Sequence, residues 1–269
     1  MCKATWPYHS LGDPRKPTLL FLHGFMGSGL DWLPIAKYFK NDYFCIMPDL
    51  PGHGNNLNFE MNQVLDYSTL TEGLLVLLET NHFDQVSLIG YSMGGRLALY
   101  FAIHYAEKIK HLILESANPG IDDLQARSQR AQVDLQRSKL IEDGGIESFV
   151  DQWYQMEIFG SMQRQDKLFK AMKTARKENK SLWMAKFIRE LSPGLQPTLW
   201  NQLSDLSMVT MLIAGALDEK YVRIVSKTAE KISQVTVRVI PNVGHSTHFE
   251  APRDFCTIVA NFLSEPFQE

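Results

Sequence analysis

Cysteine is scarce in this chain. Three occur in 269 residues, Cys2, Cys45 and Cys256, and they show neither metal-ligand nor redox-pair spacing. A reduced compartment is expected from that usage. Long apolar runs are missing too. None approaches the roughly 18–20 residues that span a bilayer, so no membrane span is expected. The opening residues, Met1-Cys2-Lys3-Ala4-Thr5-Trp6-Pro7, lack the apolar core of a signal peptide. The expected location is therefore the cytoplasm. A cationic surplus is also absent: 27 Lys and Arg stand against 30 Asp and Glu, for a formal net charge of −3. Nucleic acid is offered no global basic field. There are no internal repeats and no low-complexity tract. What is there is 45% hydrophobic, ample for a sizeable core. The length fits one large α/β domain with an inserted subdomain.

Short apolar strands alternate with amphipathic helices along most of the chain. A short strand is expected near Thr5–His9 and a clear buried strand at Thr18–Leu22. A helix over Asp31–Phe39, a strand at Phe44–Met47 and a helix over Asp66–Thr80 come next. Gln85–Ile89 reads as a strand, Leu97–Tyr105 as a helix and His111–Glu115 as a strand. After a long interval come a strand at Val209–Gly215, a helix over Val222–Ile232, a strand at Thr236–Ile240 and a closing helix from Pro252 to about Leu263. Such alternation predicts a mostly parallel sheet covered by helices on both faces. Between about Pro119 and Gln196 the rhythm breaks into helix-like, charged and aromatic-rich sequence. One reading is a surface helical bundle. The sharper one is a helical lid over residues 119–197, inserted into a core of residues 1–118 and 198–269. Insertions at the carboxyl end of an α/β sheet commonly shape binding sites.

The chain is organised around Gly90-Tyr91-Ser92-Met93-Gly94. A G-x-S-x-G between strand and helix is the setting of a nucleophile elbow. The glycines let strand and helix approach closely, and the serine is presented above a helix N-terminus suited to an oxyanion. Serine needs a base. His245, just past the last strand, is the candidate, and Asp218, past the preceding strand, would orient it. Glu219 is a rival for that role; Asp218 is favoured by its position in the turn. The order Ser92, Asp218, His245 is that of α/β-hydrolases, not of chymotrypsin or subtilisin. The loop His23-Gly24-Phe25-Met26-Gly27-Ser28-Gly29 lacks the ending of a Walker loop and the dinucleotide spacing. It reads instead as the second side of an oxyanion hole, with the Phe25 N–H facing that of Met93. His53, between two glycines, reads as structural. His245-x-x-His248-x-Glu250 does not have the zinc pattern, and His248 reads as a pocket or supporting residue. No cofactor and no metal is expected.

These residues resemble the α/β-hydrolase superfamily over essentially the whole chain. More specifically they resemble the 2-succinyl-6-hydroxy-2,4-cyclohexadiene-1-carboxylate synthases of menaquinone and phylloquinone biosynthesis, the MenH family. The stretches that carry this are Gly24–Gly29 with Asp31-Trp32, Leu50-Pro51-Gly52-His53-Gly54, the elbow through Arg96, and Glu115-Ser116-Ala117-Asn118-Pro119-Gly120. Arg127-x-x-Arg130-x-x-x-Asp134, Trp153-Tyr154 with Phe159, Gln196-Pro197, Asp218-Glu219-Lys220 and Gly244-His245-x-x-His248 complete it. The resemblance implies a lyase that removes pyruvate from a substrate bearing three carboxylates. It implies that Arg96, Arg127 and Arg176 bind carboxylates, with Tyr91, Trp153 and Tyr154 as the aromatic and hydrogen-bonding wall. Arginine suits that task because its planar fork pairs with a carboxylate through two hydrogen bonds. The expected partner is a small polycarboxylate, and the expected assembly a monomer or small homo-oligomer. The lid holds further cations whose partners the sequence does not identify. A serine esterase or carbon–carbon bond hydrolase, and a non-catalytic ligand receptor, are the competing readings on the same fold.

Overall fold

The computed structural model describes residues 5–57 and 60–264; Cys2 lies outside them. Seven strands form one sheet: β1 (Tyr8–Leu11), β2 (Thr18–Leu22), β3 (Phe44–Pro48), β4 (Val86–Tyr91), β5 (Ile109–Glu115), β6 (Val209–Gly215) and β7 (Val235–Ile240). Their order is β1-β3-β2-β4-β5-β6-β7. β1 runs antiparallel to β3 and every other neighbour is parallel. The first strand thus sits a few residues later than its expected position at Thr5–His9. It is a short edge strand with half-buried residues, which leaves little alternation to read.

Side chains alternate across the pleat, and the two faces fill two cores. Leu20, Leu22, Leu88, Leu112 and Leu212 pack on helices α2 (Tyr67–Thr80) and α3 (Met93–His104). Leu19, Phe21, Ile89, Ile113 and Met211 face the other way. They meet α1 (Leu33–Phe39) and the last helix, Pro252–Ser264. Helices therefore cover both faces, as parallel pairing requires.

Within residues 116–208 the described elements are helical. They include α4 (Leu124–Trp153), α5 (Asp166–Lys177) and α6 (Ser181–Glu190). α4 changes direction at Gly145, at φ 76° and ψ 166°. These helices share a core of Ile141, Phe149, Val150, Phe159, Trp183 and Met184 that also takes in Met26 from the loop after β2. The segment is thereby seated on the carboxyl edge of the sheet. After β6 come α7 (Glu219–Ala229), a single turn α8 (Thr247–Glu250) and α9 (Pro252–Ser264).

The chain leaves β2 toward β3 on one side, and β4 lies on the other. The loops after β2 and β4 diverge at this switch point, which is where open α/β sheets form their crevice. Two buried histidines brace the first of those loops. His23 Nε2 accepts from the Leu50 N–H at 3.0 Å and its Nδ1 lies 2.8 Å from the Gly24 carbonyl. His53 Nε2 accepts from the Met26 N–H at 3.2 Å and its Nδ1 lies 3.1 Å from the Pro51 carbonyl. A carbonyl on Nδ1 and an N–H on Nε2 dictate the neutral Nδ1–H tautomer in both rings. Burial agrees: it is the main reason that His23 titrates below the ordinary histidine range and His53 well below it. Burial likewise lowers His111 to about 4.

Two expectations follow. A methyl group on Gly94 would run into the carbonyl oxygens of Leu22 and His23, whereas nothing lies near a methyl on Gly144. Gly94→Ala should cost about 1–3 kcal/mol, lowering the melting temperature by roughly 3–10 °C, while Gly144→Ala should leave it unchanged or slightly raised. Thermal melts of the two variants test this. The second concerns acid. Histidines held neutral contribute fully above their unfolded pKa of about 6.5, and that contribution is lost as pH falls below it, because the unfolded chain takes up protons that the folded one refuses. Urea unfolding from about pH 7 to 5 should show stability dropping by up to about 1.4 kcal/mol per pH unit for each such histidine. His53→Gln should flatten the slope, and a pH-independent stability in the wild type would refute the assignment.

Candidate active site

β4 ends at Tyr91 and α3 begins at Met93, so a single residue, Ser92, makes the turn. Its backbone sits at φ 51° and ψ −106°, a conformation that costs a non-glycine residue about 1–3 kcal/mol. It persists because both flanks are fixed. The Ser92 N–H donates to the Glu115 carbonyl at 2.8 Å, and the Ser92 carbonyl accepts from the Arg96 N–H at 3.0 Å. A methyl on Gly90 would come within 2.6 Å of the Gly94 carbonyl oxygen. The helix starts four residues before the expected Leu97, since the glycines serve close approach rather than signalling a loop. Met93, as first helical residue, has no acceptor for its N–H within the helix; its side chain is buried in the core.

The Ser92 Oγ lies 3.0 Å from His245 Nε2, and His245 Nδ1 lies 2.7 Å from Asp218 Oδ2. A carboxylate can only accept, so Nδ1 carries the proton and Nε2 is left to receive one from the serine. The other Asp218 oxygen accepts from the Tyr221 N–H at 3.2 Å and caps α7. The helix and the imidazole thus hold one carboxylate between them. Glu219, the rival orienter, lies in the first turn of α7, with an oxygen 3.4 Å from Arg223. The residues of the metal-like pattern have separate partners: His248 Nδ1 binds Glu115 Oε2 at 2.7 Å and Glu250 accepts from the Gly244 N–H. Among the described residues no group of three or more His, Cys, Asp or Glu is arranged to hold a metal ion.

A cavity of about 400 Å³ opens above Ser92 and His245. Gly24, Phe25 and Tyr91 line its floor, and Trp153, Tyr154, Phe159, Met162 and Phe249 line its walls. Burial first, and then the Glu115 charge, raise the Tyr91 phenol well above the ordinary tyrosine range, so it remains a proton-bearing donor. The charged lining is Asp31, Arg130, Arg137, Arg176 and Lys220, an excess of cations.

Each of the three arginines has a carboxylate partner. Arg176 grips Asp31 through two hydrogen bonds, 2.9 and 2.6 Å. Burial would raise the Asp31 carboxyl, but the Arg176 charge and its hydrogen bonds outweigh that and hold it below the ordinary range. The Arg176 Nε finds no hydrogen-bond partner among the described residues. On α4, Asp134 is fully buried and receives Arg130 Nε at 2.7 Å, Arg137 at 2.8 Å and the Ser192 hydroxyl at 2.7 Å. The Arg137 guanidinium also lies 5.0 Å from the Trp153 ring centroid.

Not every expected arginine reaches the cavity. Arg96 is buried, bonded to the Tyr67 hydroxyl, the Leu191 carbonyl and Gln196 Oε1. Arg127 reaches toward the Gln196 carbonyl at 3.4 Å. Neither lines the cavity, whereas Arg130 and Arg137 do. All three α4 arginines share one helix face by spacing. Arg127 and Arg130 are one turn apart, and contact with Gln196, 69 residues away in sequence, gives them different surroundings.

A family model of the alpha/beta hydrolase fold matches residues 17–252. The chloroplast protein PHYLLO of Arabidopsis thaliana is 29% identical over 95% of this chain, which spans 16% of that protein's length. The 2-succinyl-6-hydroxy-2,4-cyclohexadiene-1-carboxylate synthase of Yersinia pestis is 30% identical, with 93% of this chain and 88% of that protein covered. The solved structure of MenH from S. aureus overlays with a TM-score of 0.91 at 33% identity, covering 95% of this chain and 97% of that one. Agreement in sequence, length and backbone leads to one assignment: this chain belongs to the alpha/beta hydrolase fold family and, within it, to the 2-succinyl-6-hydroxy-2,4-cyclohexadiene-1-carboxylate synthases.

Proposed function

We propose that the chain is a carbon–oxygen lyase that eliminates pyruvate from 2-succinyl-5-enolpyruvyl-6-hydroxy-3-cyclohexene-1-carboxylate in menaquinone or phylloquinone biosynthesis. The observation that carries the reading is an unbroken Ser92–His245–Asp218 hydrogen-bond chain beneath a cavity whose lining carries more cations than carboxylates. A substrate with three carboxylates is drawn to such a wall. We place the reaction in the cytoplasm, with a small-molecule substrate and a monomeric or small homo-oligomeric enzyme.

Ser92 takes the proton alpha to the succinyl ketone as its own proton passes to His245 Nε2. Asp218 holds the imidazole in the tautomer that can accept it. The C–H electron pair forms a ring double bond, the existing ring double bond shifts, and the bond to the enolpyruvyl oxygen breaks. The departing enolate takes the proton back from the imidazolium and leaves as pyruvate. No water is consumed and no bond to Ser92 forms. The N–H groups of Met93 and Phe25 stabilise the succinyl ketone oxygen as enolate charge develops on it during proton removal; such a donor can contribute about 2.7–4 kcal/mol.

Arg130, Arg137 and Arg176 bind the carboxylates, with Tyr91, Trp153 and Tyr154 beside them. Arg96 and Arg127 support this wall from behind, through Gln196. The segment 119–197 acts as the lid that carries α4 and α5 over the reacting serine.

Pyruvate release from the enolpyruvyl substrate, followed with lactate dehydrogenase, tests the reading. Ser92→Ala, Asp218→Asn and His245→Ala should each lose about 10²–10⁴-fold in kcat. Intact-mass spectrometry of enzyme quenched during turnover should show the unmodified chain; an adduct on Ser92 that forms and decays at the turnover rate would replace elimination with nucleophilic catalysis. Arg130→Ala and Arg137→Ala should each lower kcat/KM by roughly 10–150-fold, and Arg127→Ala by much less. Equal losses at Arg127 and Arg130 would refute the division of roles drawn from the cavity lining.

A further inference from the structure

Glu115 is fully buried at the carboxyl end of β5, and the elimination does not use it. It nevertheless bonds to Ser92 and to the segment that follows His245. Its backbone carbonyl accepts from the Ser92 N–H at 2.8 Å. Its carboxylate accepts from the Thr247 hydroxyl at 2.8 Å, the His248 N–H at 3.0 Å and His248 Nδ1 at 2.7 Å. The next residue continues the pattern: the Ser116 hydroxyl donates to the His245 carbonyl at 2.8 Å, and its N–H donates to the Ile213 carbonyl at 2.9 Å. Ser116 holds φ 49°, a left-handed conformation that a non-glycine residue keeps only where its surroundings over-determine it.

Ser92 and His245 come from segments far apart in sequence, and each follows a different strand. The residues of β5 lie between them in the sheet, with Tyr91 opposite Glu115 and Glu115 opposite Ile213. The geometry points to Glu115 and Ser116 as positioning residues: a two-residue clamp that sets the spacing between the Ser92 hydroxyl and the His245 imidazole. This rests on Ser92 and His245 being the reacting pair of the proposed elimination. A carboxylate fits the place because it accepts three hydrogen bonds and donates none, and the three groups facing it are donors. It also fixes the His248 ring, which stacks on Trp32 at a centroid distance of 4.2 Å and meets the Tyr91 ring at 4.8 Å. The wall beside the serine is thus held by the same side chain.

The test separates positioning from stability by reading Ser92 directly. The wild type, Glu115→Ala, Glu115→Gln and Ser116→Ala are each incubated with paraoxon, a phosphorylating reagent for activated serines. The rate of Ser92 modification is followed by intact mass, beside kcat, KM and a thermal melt. A misplacement of about 1 Å can cost about 100-fold. Glu115→Ala should therefore modify roughly 10–100-fold more slowly than wild type at temperatures where it is folded, and kcat should fall in parallel while KM stays within about twofold. Glu115→Gln keeps an acceptor for Thr247 and the His248 N–H but turns a donor toward His248 Nδ1. It should recover part of the rate. Ser116→Ala removes one hydrogen bond and should slow modification by roughly fivefold. Folded Glu115→Ala with wild-type modification and kcat, or with a loss confined to KM, would overturn the clamp. If Glu115→Ala does not fold, wild-type rates in both Glu115→Gln and Ser116→Ala would overturn it equally. A wild type that reacts with paraoxon but releases no pyruvate would overturn the lyase reading alone, and the modification rates would still decide the clamp.

Discussion

Backbone meeting backbone without side chains between them is the constraint on which this molecule depends. β4 and α3 join through one residue; their approach leaves no space for a Cβ at Gly90, and the approach of α3 to the end of β2 leaves none at Gly94. The strain at Ser92 is the local cost, and the hydrogen bonds on either side of it, to Glu115 and Arg96, offset it. From this follows the location of the site. The serine can stand only at the carboxyl edge of the sheet, so every partner has to arrive at that edge, from the ends of β2, β5, β6 and β7. The register of the sheet brings them there together.

Charge is handled by pairing rather than by isolation. A lone guanidinium in a half-closed cavity would carry a desolvation penalty, and a lone buried carboxylate a larger one. The chain therefore places Asp134 between Arg130 and Arg137 and sets Asp31 against Arg176. Two arginines on one aspartate retain a net positive charge with fixed directions. The cationic wall is thus already ordered, and the carboxylate ligand proposed above would cost it less side-chain freedom on binding.

Much of the site was legible because the signals were local. Apolar runs ended at the elbow and shortly before Asp218 and His245, and a residue placed there in a parallel sheet falls on one edge. The Gly-rich loop after β2 was readable for the same reason. What the sequence could not convey is which of several similar residues on one helix face turns inward. Arg127, Arg130 and Arg137 share a spacing, and only the packing of α4 against residues near Gln196 separates them. Arg96 stands in the elbow helix, yet Tyr67 and Gln196, from distant segments, bind it away from the cavity. The start of α3 at Met93 was hidden by Gly94 and Gly95, which weaken helix propensity while permitting the contact that matters. Glu115 looked like the end of a strand; the partners of its carboxylate lie more than 130 residues later.

The excursion between β5 and β6, residues 116–208, has a meaning in the statistics of chain closure. Parallel neighbours need a crossover of at least about a dozen residues in any case. Loop-closure entropy grows only with the logarithm of length, about 0.6 kcal/mol for each doubling, so extending a minimal crossover to this size adds about 2 kcal/mol. The segment packs a core of its own around Phe149, Val150 and Met184, which works against that cost. A sheet of this kind can therefore exchange the whole canopy above its serine for another of different length and charge, while the pairing of β5 with β6 underneath hardly registers the change.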